Sequence, residues 1–563
     1  MLTRSLFMLV MIMMSCAAIA DFSLHTDMDL LERPRANFDL MPLSNSSTRI
    51  EMTAAKDDSL SLSLKIKSKI SSKVSIRLSN FKNIETGRFV GDKEFVVKVK
   101  YVARWYQAAG AWKKWWIEKN SPTVLIPELL VNDLSLVQFD RERLENKLKL
   151  DGAYYSQKKL NQFSNKSDVL ARDFPFTDSN ELQPAVIDKS NPLHIWINVA
   201  INKEGIAGRY EANVIVESAN KKTIVGVVAI NVLTATLPVS KYTHGVYYRG
   251  KLTGDNKAWI SSEFKSEQQL DADLKDIYGH GINTVLIYQP IEARKKYKNY
   301  LPSEIDELFE KYLTIKRRYD EQSPELFYLG IVTANTKNMD AYRSRLSKLK
   351  RLASQHGYND IYIYGIDEAE GKELIQQQSM WTAAHQESVK IIAAGKKGLY
   401  YNMYDYGDAF IIQDKRGVRR KGQKRLLEYS NPQAGVENPY YYRYRRGLRL
   451  WQNDYDGSVD YAYQHAMGFA WDDGDHKTYR DHLFTYPSAS GPISTIAWEG
   501  LAMGINDLRY IQLLESCLKL SPSELASSYL SWLKIEADPD FASFRKNVTN
   551  HIQSVCMVEG GRV

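Results

Sequence analysis

The stretch Ile361-Tyr362-Ile363-Tyr364-Gly365-Ile366-Asp367-Glu368-Ala369-Glu370 decides how the second half of this chain is read. Ile361 to Ile366 carries no charge and is rich in β-branched and aromatic residues, as a strand buried on both faces requires. Two adjacent carboxylates stand at its end. Amphipathic helical patterns flank it, Met339–His356 before and Gln378–Ala394 after, so the local unit is helix, strand, helix. Neighbouring strand residues point to opposite faces. Asp367 and Glu368 can therefore serve one site only if the strand ends or bulges there, and Gly365 makes that departure possible. The competing reading has Asp367 capping the next helix, with Glu368 in its first turn.

The alternation extends outward from this unit. Candidate strands are His244–Tyr248, Thr284–Tyr288, Leu326–Val332, Ile361–Ile366, Gly398–Met403, Ala409–Gln413, Pro439–Arg443 and Ser458–Tyr463. Helical patterns lie between most of them, among them Glu267–Tyr278 and Glu304–Arg318. Eight such repeats predict an α/β fold, a (β/α)8 TIM-like barrel over residues 238–497, followed by a helical segment over 498–563 that packs on it. Active sites of such barrels lie at the C-terminal strand ends. Those ends supply Tyr248, Tyr288, Asp367-Glu368, Tyr404-Asp405, Arg443 and Tyr463. Two carboxylates close together push one pKa upward and leave a proton available for general-acid work.

Residues 21–237 read differently. Leu60, Leu62, Leu64, Ile66, Ile70, Val74, Ile76 and Leu78 occupy even positions, with mostly Ser, Lys and Arg between them. Period two, repeated in several short runs, predicts an all-β region of one or two sandwiches. Lys65, Lys67, Lys69, Lys73 and Arg77 form its solvated face. Arg104-Trp105-Tyr106-Gln107, with Trp112, Trp115 and Trp116, is either a sugar-stacking platform or a hairpin packed on the next domain.

Residues 1–20 have the form of a signal peptide, with Arg4, an apolar run from Leu6 to Met14, and Ala18-Ile19-Ala20 before Asp21. Cleavage after Ala20 is favoured over lipidation at Cys16, whose preceding residues lack the usual Leu. Either reading predicts export. No other run reaches the length of a membrane span. Export permits a disulfide between Cys517 and Cys556. No Cys/His cluster has zinc spacing, so neither a metal site nor a cofactor is expected.

With 44% hydrophobic and 25% charged residues in 563, the chain is neither disordered, collagenous nor a coiled-coil rod. Its 35 Tyr and 11 Trp suit half-wet binding surfaces. The net charge of +8 equals the excess of the segment from Ile411 to Leu450, where 11 Lys/Arg face Asp414, Glu428 and Glu437. An acidic stretch follows, from Trp451 to Asp481. With an export signal and no recognition motif, nucleic acid is a poor explanation. An anionic glycan or internal pairing remains open.

The later segments resemble a known family. Tyr486-Pro487, Gly491 to Gly500 with Ala497-Trp498-Glu499, and Gly504-Ile505-Asn506-Asp507-Leu508-Arg509-Tyr510 are similar to the closing signature of the glycoside hydrolase family 123 catalytic domain and its uncharacterised relatives. Arg446-Gly447, Leu450-Trp451, Asp456-Gly457 and Tyr461 match the segment before it, and Asp367-Glu368 matches the family's acidic pair. Residues 123–217, including Leu125 to Leu130, resemble the β-rich N-terminal part of such relatives. Ala497 and Met503 stand where the family carries Arg, and Ser488 where Gly often follows Tyr-Pro. The resemblance implies a retaining β-N-acetylgalactosaminidase in which the sugar's own 2-acetamido oxygen attacks the anomeric carbon. It makes Glu368 the acid/base and Asp367 the group that orients the acetamido.

Adjacent carboxylates suit substrate assistance, because an enzymatic nucleophile would need a second carboxyl across the sugar. Tyr404 is a candidate donor to the acetamido oxygen. Trp451, Trp471 and Tyr463 are candidate stacking residues, and Asp472-Asp473-Gly474-Asp475 is a sugar-contacting loop or a plain turn. The expected partner is a glycan. The residues by themselves also leave open a non-catalytic glycan-binding surface protein, or a carbohydrate enzyme such as a lyase acting on acidic chains.

Overall fold

The computed structural model describes residues 22–26, 48–108, 123–157, 160, 168–219, 221–293, 297–321, 323–333, 338–413, 422–429, 439–473, 475–476, 480–537 and 539–556. Alternation along Asp58–Ser68 and Ser72–Leu78 turns Leu60, Leu62, Leu64, Ile66, Val74 and Ile76 inward. They meet Ile195, Ile197, Val199, Val214, Val216, Val228 and Ile230 in one core, so the N-terminal half is a single sandwich. One sheet runs Phe22–Thr26, Asp58–Ser68, Leu193–Ile201, Phe95–Ala108, Thr123–Val131. The other runs Ala185–Ile187, Ser72–Leu78, Gly208–Ser218, Lys221–Thr236, Arg49–Lys56. All pairs are antiparallel except the last, which is parallel.

The second half closes into an eight-stranded parallel barrel. Its strands are β1 (Thr243–Tyr248), β2 (Thr284–Ile287), β3 (Glu325–Val332), β4 (Asp360–Tyr364), β5 (Lys390–Gly395), β6 (Ala409–Ile412), β7 (Arg425–Glu428) and β8 (Gly457–Asp460), with β8 pairing back to β1. Two strands differ from expectation. Gly398–Met403 and Pro439–Arg443 lie in helices, Lys397–Met403 and Pro439–Arg446. The fifth strand comes from inside the helix expected to run to Ala394. That helix ends at Gln386, and Ser388 takes a left-handed φ of 58° before the chain extends. The apolar run Ile391 to Ala394 fits either period, so its pattern does not discriminate. Pro439 sits at the first helical position, where its missing N–H costs nothing. The seventh strand, Arg425-Leu426-Leu427-Glu428, is four residues long between charges and gives almost no periodic signal.

Helices used below are α1 (Glu267–Gly279), α2 (Gln378–Gln386), α3 (Pro439–Arg446), α4 (Ile496–Leu520) and α5 (Phe541–Cys556). The closing segment of the sequence is the clasp of the molecule. On α4, Tyr510 donates to Asp58 (2.8 Å) and accepts from the Ala55 amide (2.6 Å). Arg509 pairs with Asp57 at 2.6 Å. Asp507 holds both Arg443 of α3 (2.6 Å) and Arg545 of α5 (2.7 Å). Met503 packs with Val102, Leu130, Trp196 and Ile496 between α4 and the sandwich, and Ala497 is fully buried. A disulfide joins Cys517 of α4 to Cys556 of α5. Among the described residues no helix is long and apolar enough to cross a membrane.

Trp105 packs edge-on against Trp471 (5.5 Å) and Tyr486 (6.3 Å), while Gln107 donates to Tyr486 Oη at 2.9 Å. This part of the Trp-rich hairpin thus binds the sandwich to the chain after β8. Trp112, Trp115 and Trp116 lie outside the described residues. Among the described residues, the basic side chains of this stretch are spent internally. Arg445, Arg446 and Arg449 converge on the buried Glu428, at 3.1, 3.2 and 3.1 Å. Arg446 also holds Asp460, Arg425 holds Glu325, and Lys424 donates to the Tyr404 and Gly407 carbonyls. Residues 414–421 lie outside the described ones.

His280, just past α1, stands between Asp276 (3.4 Å) and Glu499 of α4 (3.3 Å). Burial opposes its charge, but the two carboxylates overcome that and raise its pKa to about 9. A raised folded pKa contributes stability that is complete below the unfolded value near 6.5 and lost as pH rises through 9. Denaturant unfolding of wild type and His280→Gln should therefore differ by about 3 kcal/mol at the acid end of this window and converge at the alkaline end. A gap independent of pH would show that His280 is not charged in the folded protein.

Candidate active site

A cavity of about 570 Å³ opens at the C-terminal end of the barrel. Its floor begins where β4 ends. A Cβ on Gly365 would lie 2.8 Å from both Ala393 Cβ and the Trp381 ring, so only glycine lets the chain pass there. The Gly365 amide still bonds the Ile392 carbonyl (2.9 Å), but the Ile366 amide turns to Gln377 Oε1 (2.7 Å). Gln377 is fixed by Thr333 (2.8 Å), and Thr333 by the Trp381 indole of α2 (2.8 Å). Glu368 then adopts a left-handed φ of 50°, its amide bonded to the Ala394 carbonyl. This departure from strand geometry brings both carboxylates to one cavity.

Each carboxylate has its own tyrosine. The Tyr364 hydroxyl donates to Asp367 Oδ1 at 2.8 Å, and the Tyr429 hydroxyl, just after β7, donates to Glu368 Oε1. Asp367 reaches solvent through the mouth, yet the surrounding walls withhold water and push its pKa above the ordinary Asp value. The Tyr364 bond opposes that rise and the neighbouring Glu368 charge adds to it.

The facing wall is built from β1, β2 and β8. The Arg249 guanidinium lies 5.2 Å from the Tyr288 ring centre, is clamped by Glu263, and donates to Tyr461 Oη at 3.2 Å. Tyr461 meets His465 Nδ1 at 2.7 Å. Burial, with Arg249 adding, lowers the His465 pKa to about 3, so this ring is neutral. Tyr247, Leu329, Met467 and His482 complete the lining.

Of the residues expected from the sequence, Asp367, Glu368 and Tyr288 line this cavity. The others lie elsewhere. Tyr248 points to the opposite face of β1 and donates to Asp273 at 2.7 Å. Tyr404 stacks on Phe410 under Lys424, and Asp405 is exposed beside it, because the strand expected to deliver them is a helix. Arg443 is buried against Asp507. Trp451 donates to Glu515 at 2.8 Å beneath Lys534. Tyr463 bonds Asp276 at 2.9 Å and packs on Trp498. Trp471 is in the sandwich core against Phe176 and Tyr486, its indole bonded to the Pro487 carbonyl.

The sequence reading missed Tyr247, Tyr364, Tyr429, Tyr461, Met467 and His482 as lining residues, whereas Arg249, read at the end of the first predicted strand, does line the cavity. Tyr247 stands one position before Tyr248, a matter of register, and Tyr461 lies just past β8, two positions before Tyr463. Tyr429 was hidden by the misplaced seventh strand. The aspartate loop makes structural bonds: Asp475 accepts from the Phe469 amide (2.7 Å), and Asp472 accepts from the Gln157 side-chain amide of the N-terminal half (2.9 Å). Among the described residues no group of three or more His, Cys, Asp or Glu is placed to hold a metal ion.

Comparison with known proteins adds the following. Residues 297–514 match the family model of the glycoside hydrolase 123 catalytic domain, a span that runs from before β3 to α4 and includes Asp367 and Glu368. A family 123 glycoside hydrolase from Clostridium perfringens, studied for glycolipid glycan hydrolysis, shares the fold. Its TM-score is 0.63 at 12% identity, over 96% of this chain and 100% of that one. A Bacteroides ovatus GH5 xyloglucanase bound to a heptasaccharide superposes with a TM-score of 0.28 at 8% identity, over 82% and 98%. No curated protein sequence matches significantly.

Proposed function

We propose, from the premise that this chain carries a glycoside hydrolase 123 catalytic domain and is a glycoside hydrolase, that it cleaves β-linked 2-acetamido sugars by substrate assistance. The observation that carries this reading is the separate tethering of the two carboxylates, Asp367 by Tyr364 and Glu368 by Tyr429. Adjacent in sequence but held by different strands, they suit different tasks. Glu368 protonates the leaving oxygen while the substrate's acetamido oxygen attacks the anomeric carbon. Asp367 accepts the acetamido N–H and stabilises the positive charge that spreads over the forming oxazolinium ring. Water then opens that ring, Glu368 taking its proton, and the β configuration is retained. N-acetylgalactosamine is the sugar that the family resemblance favours. Export follows from residues 1–20, with cleavage after Ala20 or anchoring through Cys16.

A panel of aryl β-glycosides of N-acetylgalactosamine, N-acetylglucosamine and galactose tests the mechanism. Turnover of the acetamido sugars, with galactoside slower by at least about three orders of magnitude, is expected, because the plain sugar lacks the internal nucleophile. Comparable turnover of the galactoside would sink substrate assistance.

A further inference from the structure

We propose that Tyr247 and Tyr364 are positioning residues, a one-way hydrogen-bond chain that orients Asp367 and reserves its Oδ2 for the substrate amide. This rests on the functional reading above. A carboxylate has no proton to give, so at the 2.8 Å contact Tyr364 is the donor and Asp367 Oδ1 the acceptor. That spends the single hydroxyl proton of Tyr364. The 2.7 Å contact between the two hydroxyls must therefore run from Tyr247 to Tyr364. The direction Tyr247, Tyr364, Asp367 follows from counting protons.

The chain spans the barrel mouth from β1 to β4, and both tyrosines belong to the buried interior cluster. Tyr247 is wedged edge-on against Tyr364 (6.0 Å) and Tyr461 (5.3 Å), so its hydroxyl has little freedom to turn away. Burial raises both phenols well above their ordinary range, so neither loses its proton at working pH. Among the described residues no protein donor bonds Asp367 Oδ2. One carboxylate oxygen accepts from the scaffold, and the side chain lines the cavity.

The groups facing Asp367 are few. Glu368 stands on its own loop, and Tyr364 of β4, Tyr247 of β1, and Tyr288, Tyr429 and Tyr461 just past β2, β7 and β8 surround it. Arg249, clamped by Glu263, and the neutral His465 lie on the facing wall, where His482 also lines the cavity. Tyr364 is thus the hydrogen bond that favours the ionised form, the form able to accept an amide N–H.

The pH profile of kcat/KM on an aryl β-2-acetamido glycoside tests this in the full-length protein. Tyr364→Phe is expected to move the acidic limb upward by about one pH unit and to lower kcat about 30-fold, the effect of a hydrogen bond to a charged acceptor. Tyr247→Phe should shift the same limb in the same direction by less, because it removes only the bond that polarises Tyr364. If Tyr364→Phe fails to fold, the Tyr247→Phe limb decides. Asp367→Asn separates the two readings. An unshifted limb in the folded variants, with Asp367→Asn inactive, overturns the positioning chain alone. Full turnover by Asp367→Asn overturns the functional reading and this inference with it.

Discussion

Glu368→Gln should lower kcat for a sugar leaving group by about three orders of magnitude while leaving glycan binding within a few fold. The amide keeps the size of the side chain and an oxygen that can still accept from Tyr429, so the cavity and the left-handed turn at Glu368 are preserved. What is lost is the proton. A departing sugar alkoxide is a poor leaving group, so its departure without protonation sets the full height of the barrier. An aryl group leaves more readily, and the same variant should lose less activity on an activated aryl glycoside. Added azide should not restore turnover in the first step, since the nucleophile is the substrate's own acetamido. Isothermal titration with substrate or product measures binding, and steady-state rates on both leaving groups measure the chemistry. Unchanged kcat on the sugar leaving group would remove Glu368 from the acid role.

The difference between what the sequence made legible and what it hid follows from where the physical signal lies. The acidic pair was readable as a candidate because an uncharged barrel strand that ends in two carboxylates brings both to the C-terminal face. The barrel was readable because most of its strands alternate with amphipathic helices. Yet β5 and β7 were misplaced, one because Ile391 to Ala394 suits a buried helix as well as a buried strand, the other because Arg425 to Glu428 is too short to carry a period. The tyrosine wall depended on register. Whether Tyr247 or Tyr248 faces the cavity is a one-residue choice between identical side chains, and composition is blind to it. Trp451, Trp471 and Tyr463 looked like stacking residues for the same reason that they make good core: a large apolar face with one polar atom that finds a buried partner.

The closing motif carries the second large expectation, and it concerns stability. Asp507 is fully buried and accepts from Arg443 at 2.6 and 3.1 Å and from Arg545 at 2.7 Å. Asp507→Ala leaves Arg443 buried without that counter-charge, whereas Arg545 retains Asp58 at 3.0 Å. Breaking a buried pair from one side costs about 3–5 kcal/mol, because the remaining charge keeps its desolvation penalty. The exposed pair Arg77–Glu217 is the control, and Glu217→Ala there should cost under about 1 kcal/mol. Denaturant unfolding of the oxidised protein measures both, with the Cys517–Cys556 bridge intact so that α5 stays attached to α4 in every sample. Because Asp507 sits on α4 away from the cavity lining, kcat per folded molecule should stay near wild type. A small stability loss combined with a large loss of kcat would reverse the assignment: the motif would then act on the site, and the clasp between sandwich, barrel and C-terminal helices would have to be carried by Arg509 and Tyr510 instead.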